Sequence, residues 1–339
     1  MTLKEKVKQL WKICFNDSDE FVELYFRLRY NNKVNLAIQS GDDVISALQM
    51  IPYPMTIWGT EVNTSYISGA CTHPEYQGKG VMRELLSQAF AQMTKRDVHI
   101  STLIPAKPWL FDYYAKAGYA PVFHHTKTTV IRTEIPAPED TELKQIYEYD
   151  EDIYTYFNAQ MHQRPCCIQH DADDYKVVLE DLHLSEGAVF AAYQQDKVVG
   201  VIFAEPQDDG IKVKEVVANN TPVKECLVQK AIAHFHTTKA IVISPPDAAN
   251  KQTTPIGMAR IIHAKPILQL YAAANPHVEL NIELTDHQLS LNNGYYYLVN
   301  GKCMTSEKRL PGNHQLLTIG QLTQMLLAPE QPYMSLMLD

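Results

Sequence analysis

One stretch limits what this chain can fold into. Residues Tyr66 to Met93, YISGACTHPEYQGKGVMRELLSQAFAQM, read as strand, turn and helix. Tyr66 to Thr72 is rich in β-branched and aromatic residues, and His73-Pro74 ends it because proline lacks a ladder donor. Gln77-Gly78-Lys79-Gly80 is a glycine-bearing turn. From Val81, apolar residues recur every three to four positions at Met82, Leu85, Leu86, Ala89, Phe90 and Met93, one face of a helix. Arg83, Glu84, Ser87, Gln88 and Gln92 make the solvent face.

A glycine turn that opens a helix suits an anion. The first N–H groups of a helix have no intrahelical partner, and the dipole adds about half a positive charge. Glycines allow close approach, and Lys79 adds a cation. The other reading is an ordinary glycine connection. The spacing fits neither a Walker loop nor a Rossmann fingerprint.

The loop Gln77-Gly78-Lys79-Gly80-Val81-Met82 does resemble the pyrophosphate loop Q/R-x-x-G-x-G/A of the GNAT acetyltransferases, with His73-Pro74-Glu75-Tyr76 as the family's lead-in. Met82 departs from the small residue usual at the sixth place; bulky residues there are familiar in the subgroup resembling the enhanced-intracellular-survival acetyltransferase. Downstream, KPWLFDYYAKAGYAPV resembles the family's N-x-x-A-x-x-x-Y-x-x-x-G-[FY]. Tyr114 matches its tyrosine and Gly118-Tyr119 follows at the right distance, while Lys107 and Leu110 depart from its asparagine and alanine.

Length and charge bound the rest. A chain of 339 residues favours two or three domains. The net charge of −9, from 30 Lys+Arg against 39 Asp+Glu, argues against a nucleic-acid binder. No apolar run is long enough for a spanning helix, so no membrane insertion is expected. MTLKEKVKQLWKICF is too charged for a signal peptide. Six cysteines without a C-x-x-C pair read as reduced thiols in cytoplasm. The histidines lack spaced partners, so no metal site is expected.

Taken in order, the chain predicts helices at 4–13 and from Asp17 or Ser18, then strands at Val34–Ile38, Val44–Met50 and Met55–Trp58, with Pro52 and Pro54 interrupting. A strand at Val98–Ile104 and a helix at 108–117 follow the central stretch. IRTEIPAPED marks a boundary. Beyond it, helices are expected at 141–147, 149–161 and 173–182, three strands between 189 and 218, a helix at Pro222–Phe235 and a strand at Ala240–Ser244. This repeats the first order of elements, with Asn219-Asn220-Thr221-Pro222 in place of the loop. After a polar linker, GMARIIHAKPILQLYA begins a helix-forming segment, strands follow at Val278–Leu284, Leu289–Leu291 and Tyr295–Leu298, and Leu316–Leu327 is a late helix.

The resemblance therefore implies an α/β (α+β) fold: tandem GNAT folds, the second degenerate, and a sterol-carrier-like α+β domain. The expected domains are 1–133, 134–250 and 256–339. It implies acetyl transfer from acetyl-CoA to a small-molecule or lysine-like amine acceptor, without a metal. Gln77, Gly78, Lys79, Gly80, Val81 and Met82 would hold the pyrophosphate, and the backbone of Ala70, Cys71 and Thr72 the pantetheine. Tyr114 would protonate the leaving thiolate. The junction holding Phe15, Asp17, Asp19 and Glu20 would form an acidic acceptor rim, or merely a helix start. In the subgroup the C-terminal carboxylate serves as base, which would be Asp339, carried by the apolar tail PEQPYMSLMLD. That tail is expected to dock against protein. Homo-oligomer formation is left open. The competing class is an acyl-CoA- or lipid-binding module without turnover.

Overall fold

The computed structural model describes residues 1–246 and 253–338. They divide into two compact units, 1–123 with 255–332, and 124–254 with 333–338.

The first unit begins with helices α1 (Leu3–Cys14) and α2 (Asp19–Leu28). Thr2 and Glu5 cap α1 reciprocally, and Ser18 caps α2 by accepting from the Phe21 N–H. Strands β1 (Asn35–Ser40), β2 (Asp43–Ile57) and β3 (Thr60–Thr72) form an antiparallel meander. Helix α3 (Val81–Lys95), strand β4 (Ile100–Leu103), helix α4 (Trp109–Ala115) and strand β5 (Ala120–Ile131) follow; the unit boundary falls inside β5. The Leu85, Leu86, Ala89, Phe90 and Met93 face of α3 is buried with Leu48, Met50 and Ile67 of the sheet, so the helical period read from the sequence is the packed one.

Two details differ from the sequence reading. Strand β2 runs unbroken through Pro52 and Pro54, which sit opposite Ser65 and Asn63 of β3. Lying two apart, both prolines turn their missing donors to one side, and β1 pairs with β2 only as far as Gln49. Strand β3 meets β4 in parallel only at Thr64–Tyr66, so the two strands part beyond Thr102.

The second unit continues with β6 (Thr141–Ile146), α5 (Glu151–His162), β7 (Cys167–Ile168), α6 (Ala172–Leu184), β8 (Ala188–Gln194), β9 (Lys197–Gln207), β10 (Gly210–Ala218), α7 (Thr221–His234) and β11 (Lys239–Ser244). Two helices, three antiparallel strands, a helix and a parallel strand repeat the first unit's order. One correction is needed. Thr141–Ile146, expected as helix, is a strand paired antiparallel with β8; Leu143 and Ile146, on opposite faces, pack against different clusters, and pairing decides where the local pattern is this short. Residues Tyr333–Leu338 complete this unit. Tyr333 bonds the backbone of Cys166 and Ile168, each at 3.0 Å, and Tyr333 and Leu336 enter the core with Phe157, Tyr175 and Phe203. Ser335 donates to Glu215 at 2.7 Å, and Arg164 grips the same carboxylate with two bonds of 2.9 Å. Burial pushes the Glu215 carboxyl up, but Arg164 outweighs it and holds it below the usual range. Asp339 lies outside the described residues, as do residues 247–252 within the expected linker.

The last part of the chain returns to the first unit. Strand β12 (Thr254–Ile261) pairs antiparallel with β4, Met258 opposite Leu103. The segment MARI, read above as the start of a helical region, is therefore a sheet strand. Helix α8 (Ala264–Ala274) and strands β13 (Leu280–Thr285), β14 (Gly294–Val299), β15 (Lys302–Ser306) and β16 (Gln315–Thr318) follow, then α9 (Ile319–Leu327). The four strands form a separate sheet in the order β15-β14-β13-β16. Leu289–Leu291, expected as a strand, is instead part of a turn that includes a short 3-10 helix at Ser290–Asn292.

Arg260 of β12 is fully buried. Its guanidinium holds Asp286 with bonds of 2.8 and 2.7 Å, donates to the Ala117 carbonyl at 2.7 Å, and lies 4.5 Å from the Phe90 ring centre. Asn292 and the N–H groups of Gln288 and Leu289 complete the carboxylate. Burial alone would raise the Asp286 carboxyl; Arg260 outweighs it and holds it low. Its folded value is depressed, so the stabilisation is present above the ordinary aspartate range near pH 3.9 and lost as pH falls through the lower folded value. Asp286→Ala leaves a buried charge unpaired and is expected to destabilise the first unit by about 3–5 kcal/mol at neutral pH. All three tryptophans, Trp11, Trp58 and Trp109, lie in that unit, so urea unfolding followed by their fluorescence reads it directly. The difference from wild type should shrink below about pH 4; a constant difference would mean that the carboxylate charge is not what matters.

Candidate functional site

The site begins with an irregularity in β3. Ser68 pairs with Gln49 and Cys71 with Ala47, so Gly69 and Ala70 together oppose Leu48. This bulge needs Gly69, whose φ is +58°. A Cβ there would fall 2.1 Å from Cζ3 of Trp11, so the indole of α1 occupies the space of a missing side chain. On the same helix face of the strand, Ser68 accepts a 2.8 Å bond from the Tyr25 hydroxyl.

After β3, a short turn at Pro74–Tyr76 leads into the glycine loop. The Gln77 side chain donates to the Thr72 carbonyl at 3.1 Å and folds the loop back on the strand end. Gly78 and Gly80 both have left-handed backbones, φ +73° and +82°. A Cβ on Gly78 would meet nothing within 4 Å, so the loop faces open space there. Gly80 is the N-cap of α3 and offers no side-chain cap. The first amides of α3 thus remain for another acceptor. In the second unit the equivalent helix, α7, is capped by Asn220, which accepts from the Val223 N–H at 3.0 Å, and Pro222 removes a further donor. The same element order has one open helix N-terminus and one that the chain closes itself.

The loop forms one wall of a groove of about 950 Å³. It gathers every residue the sequence nominated for cofactor binding, Ala70, Cys71, Thr72, Gln77, Gly78, Lys79, Gly80, Val81 and Met82, together with Tyr114. Sequence reasoning missed Arg83, Trp109, Tyr113, Lys116 and Gln288, which also line it. Arg83 was assigned to solvent; its place one turn after the loop was the available signal. Gln288 arrives from a distant turn and had none. Among the described lining residues, Lys79, Arg83 and Lys116 are cationic and none is acidic, in a protein whose net charge is −9.

Tyr114 is 7% exposed, and burial pushes its hydroxyl up to about 12. It is edge-on to Tyr113 and Tyr119, with ring centres 5.4 and 5.8 Å away. Tyr113 is more open, and its hydroxyl is raised by burial against the pull of Arg83.

The acidic junction of α1 and α2 does not line this groove. Asp17 accepts from the Trp11 indole at 2.7 Å, Asp19 pairs with Lys12, and Phe15 packs on Trp11 with ring centres 4.8 Å apart. Asp19 and Glu20 lie in the first turn of α2, where the helix dipole favours them. No group of three or more metal-ligating side chains occurs among the described residues.

The family model described as an acetyltransferase (GNAT) domain matches residues 2–122. A comparison with curated proteins gives no significant match. Among solved structures, a GCN5-related N-acetyltransferase from Anabaena variabilis aligns with TM-score 0.75 at 20% identity, over 97% of each chain. One from Kribbella flavida gives 0.73 at 16%, over 97% of this chain and 94% of that one. Eis1 from Mycobacterium abscessus gives 0.70 at 12%, over 96% and 87%. At such identities the likeness is one of fold, and it extends over both units. Residues 2–122 thus match a GNAT acetyltransferase domain, in a chain whose fold has a tandem GNAT-like architecture.

Proposed function

We propose that the groove binds an acyl-CoA, acetyl-CoA in its simplest form, and that the protein transfers the acyl group to an amine. The observation that carries this is the groove's charge: an open helix N-terminus and three cations, with no described acidic lining residue, in an acidic protein. Such a site suits a polyanion such as a pyrophosphate. The bulged end of β3, Ala70 to Thr72, offers backbone groups where its neighbour β4 has turned away, and an amide-bearing arm can pair there as an added strand.

The chemistry is attack of a neutral amine on a thioester, with loss of a thiolate. Tyr114 is the proposed proton donor to that thiolate. At about 12 its hydroxyl stays protonated at physiological pH, but it is a weaker acid than a free thiol of about 8.5. Donation becomes favourable to the extent that the same apolar surroundings raise the thiolate's own affinity for a proton. Because the described lining offers no carboxylate or imidazole, the amine's proton must go to water or to a group from elsewhere. Asp339 keeps its proposed role as that group, from the resemblance alone. The acceptor rim at Phe15, Asp17, Asp19 and Glu20 is also a proposal, weakened by the local partners of Asp17 and Asp19. The sterol-carrier-like character of 256–339 is likewise a proposal that rests on the resemblance.

Two substitutions test this reading. Gly80→Asp puts a carboxylate at the helix N-terminus in a backbone conformation that aspartate tolerates. Acetyl-CoA affinity should fall by about a hundredfold or more, close to 2.7 kcal/mol, in calorimetry on a protein with an unchanged circular dichroism spectrum. Undiminished binding would remove the site. Tyr114→Phe should lower amine-dependent release of CoA about 100- to 10,000-fold while acetyl-CoA affinity stays within about twofold, with Tyr113→Phe as control. Wild-type turnover would make Tyr114 a packing residue. If no amine drives CoA release from the unaltered protein although acetyl-CoA binds, the binding-module reading replaces the enzyme.

A further inference from the structure

Two thiols meet on the helix side of β3. The bulge at Gly69–Ala70 sets Ser68 and Cys71, three residues apart, on one face, because their partners Gln49 and Ala47 are two apart. Without the extra residue, Cys71 would point to the opposite face. From Trp11, which fills the space beside Gly69, one more turn of α1 brings Cys14 onto the same strand. The Cys14 sulfur donates to the carbonyl of Thr72, the residue after Cys71, at 3.5 Å, and the two thiols are near enough to shift each other's acidity. Both thiols are free, Cys14 half-buried and Cys71 buried. Cys71 also lines the groove.

We propose that Cys14 and Cys71 form an oxidisable dithiol, a modification site that closes to an intramolecular disulfide beside the groove. The oxidant is a peroxide. The Cys14 thiolate attacks one peroxide oxygen, the O–O bond breaks, and a sulfenic acid and one water result after protonation. The Cys71 sulfur then attacks the Cys14 sulfur and displaces the hydroxyl, which leaves as a second water with the Cys71 proton. Two thiols lose two electrons and two protons in all, and the peroxide is reduced to two waters. The assignment of order follows exposure and contact. Cys14 is the more accessible, and the neighbouring Cys71 thiol holds the Cys14 thiol below the usual range. The Cys14 neighbour and burial hold Cys71 up, as suits a resolving partner that reacts only with its neighbour.

The test is chemical and does not depend on the transferase reading. The full chain is exposed to near-stoichiometric hydrogen peroxide under native conditions, alkylated, digested without reductant and read by mass spectrometry. The expected first product joins the peptides carrying Cys14 and Cys71, lighter by two hydrogens, and dithiothreitol restores both thiols. In Cys14→Ser, Cys71 should remain alkylatable after denaturation at peroxide exposures about tenfold longer. Cys14→Ser is the working variant because its site is half-buried and tolerant; Cys71→Ala serves as its complement where it folds. Three results would overturn the proposal: Cys14 passing to sulfinic acid with Cys71 still free, a different pair joining first, or Cys71 oxidising equally fast without Cys14.

Discussion

The first unit depends on one buried charge. Arg260 touches three elements that the sequence places far apart: the Phe90 ring of α3, the carbonyl at the end of α4, and the Asp286 turn. A guanidinium away from water needs partners for its charge, and the two terminal nitrogens find theirs where these elements close around it, while Nε has no hydrogen-bond partner. Gly118 shows how tightly. A Cβ there would lie 1.9 Å from Nη1 of Arg260, so the glycine that ends the α4 segment is also a space left for the arginine. The same guanidinium thus fixes the helix that carries Tyr114. A group outside the groove sets the position of one inside it.

The two halves of the chain show what separates a ligand site from a likeness of one. Both have a meander, a helix and a parallel strand in the same order. In the first, glycines leave the helix N-terminus open beside a groove of cations. In the second, Asn220 and Pro222 satisfy or delete the donors a ligand would use. Architecture is shared; the difference lies in a few backbone N–H groups.

The glycine loop, the amphipathic face of α3 and the Tyr114–Gly118 spacing were legible because each is local. A period, a turn or a cap needs no knowledge of distant chain. What the sequence hid was set by pairing. MARI of β12 reads as helix-forming and becomes a strand because β4 offers an edge. TELKQI of β6 has only Leu143 and Ile146 to bury, too few to show a period, and takes its state from β8. Pro52 and Pro54 look like breaks until one sees that both lose donors on a side that β1 does not reach. In the groove, Arg83 and Lys116 were visible as residues but not as lining, because the convergence of α3 and α4 is a tertiary fact.

Neither unit is a continuous piece of chain, and this bears on the order in which the molecule is made. The loop, α3 and Tyr114 leave the ribosome well before Arg260, which follows Phe123 by more than a hundred residues, on the order of ten seconds of synthesis. Throughout that interval the Ala117 carbonyl and the cavity beside Gly118 await a side chain that does not yet exist. The second unit waits in the same way for Tyr333 and Leu336 to fill its core. The nascent protein therefore holds both halves unfinished at once, each with an apolar gap, and the two are completed by separate late segments.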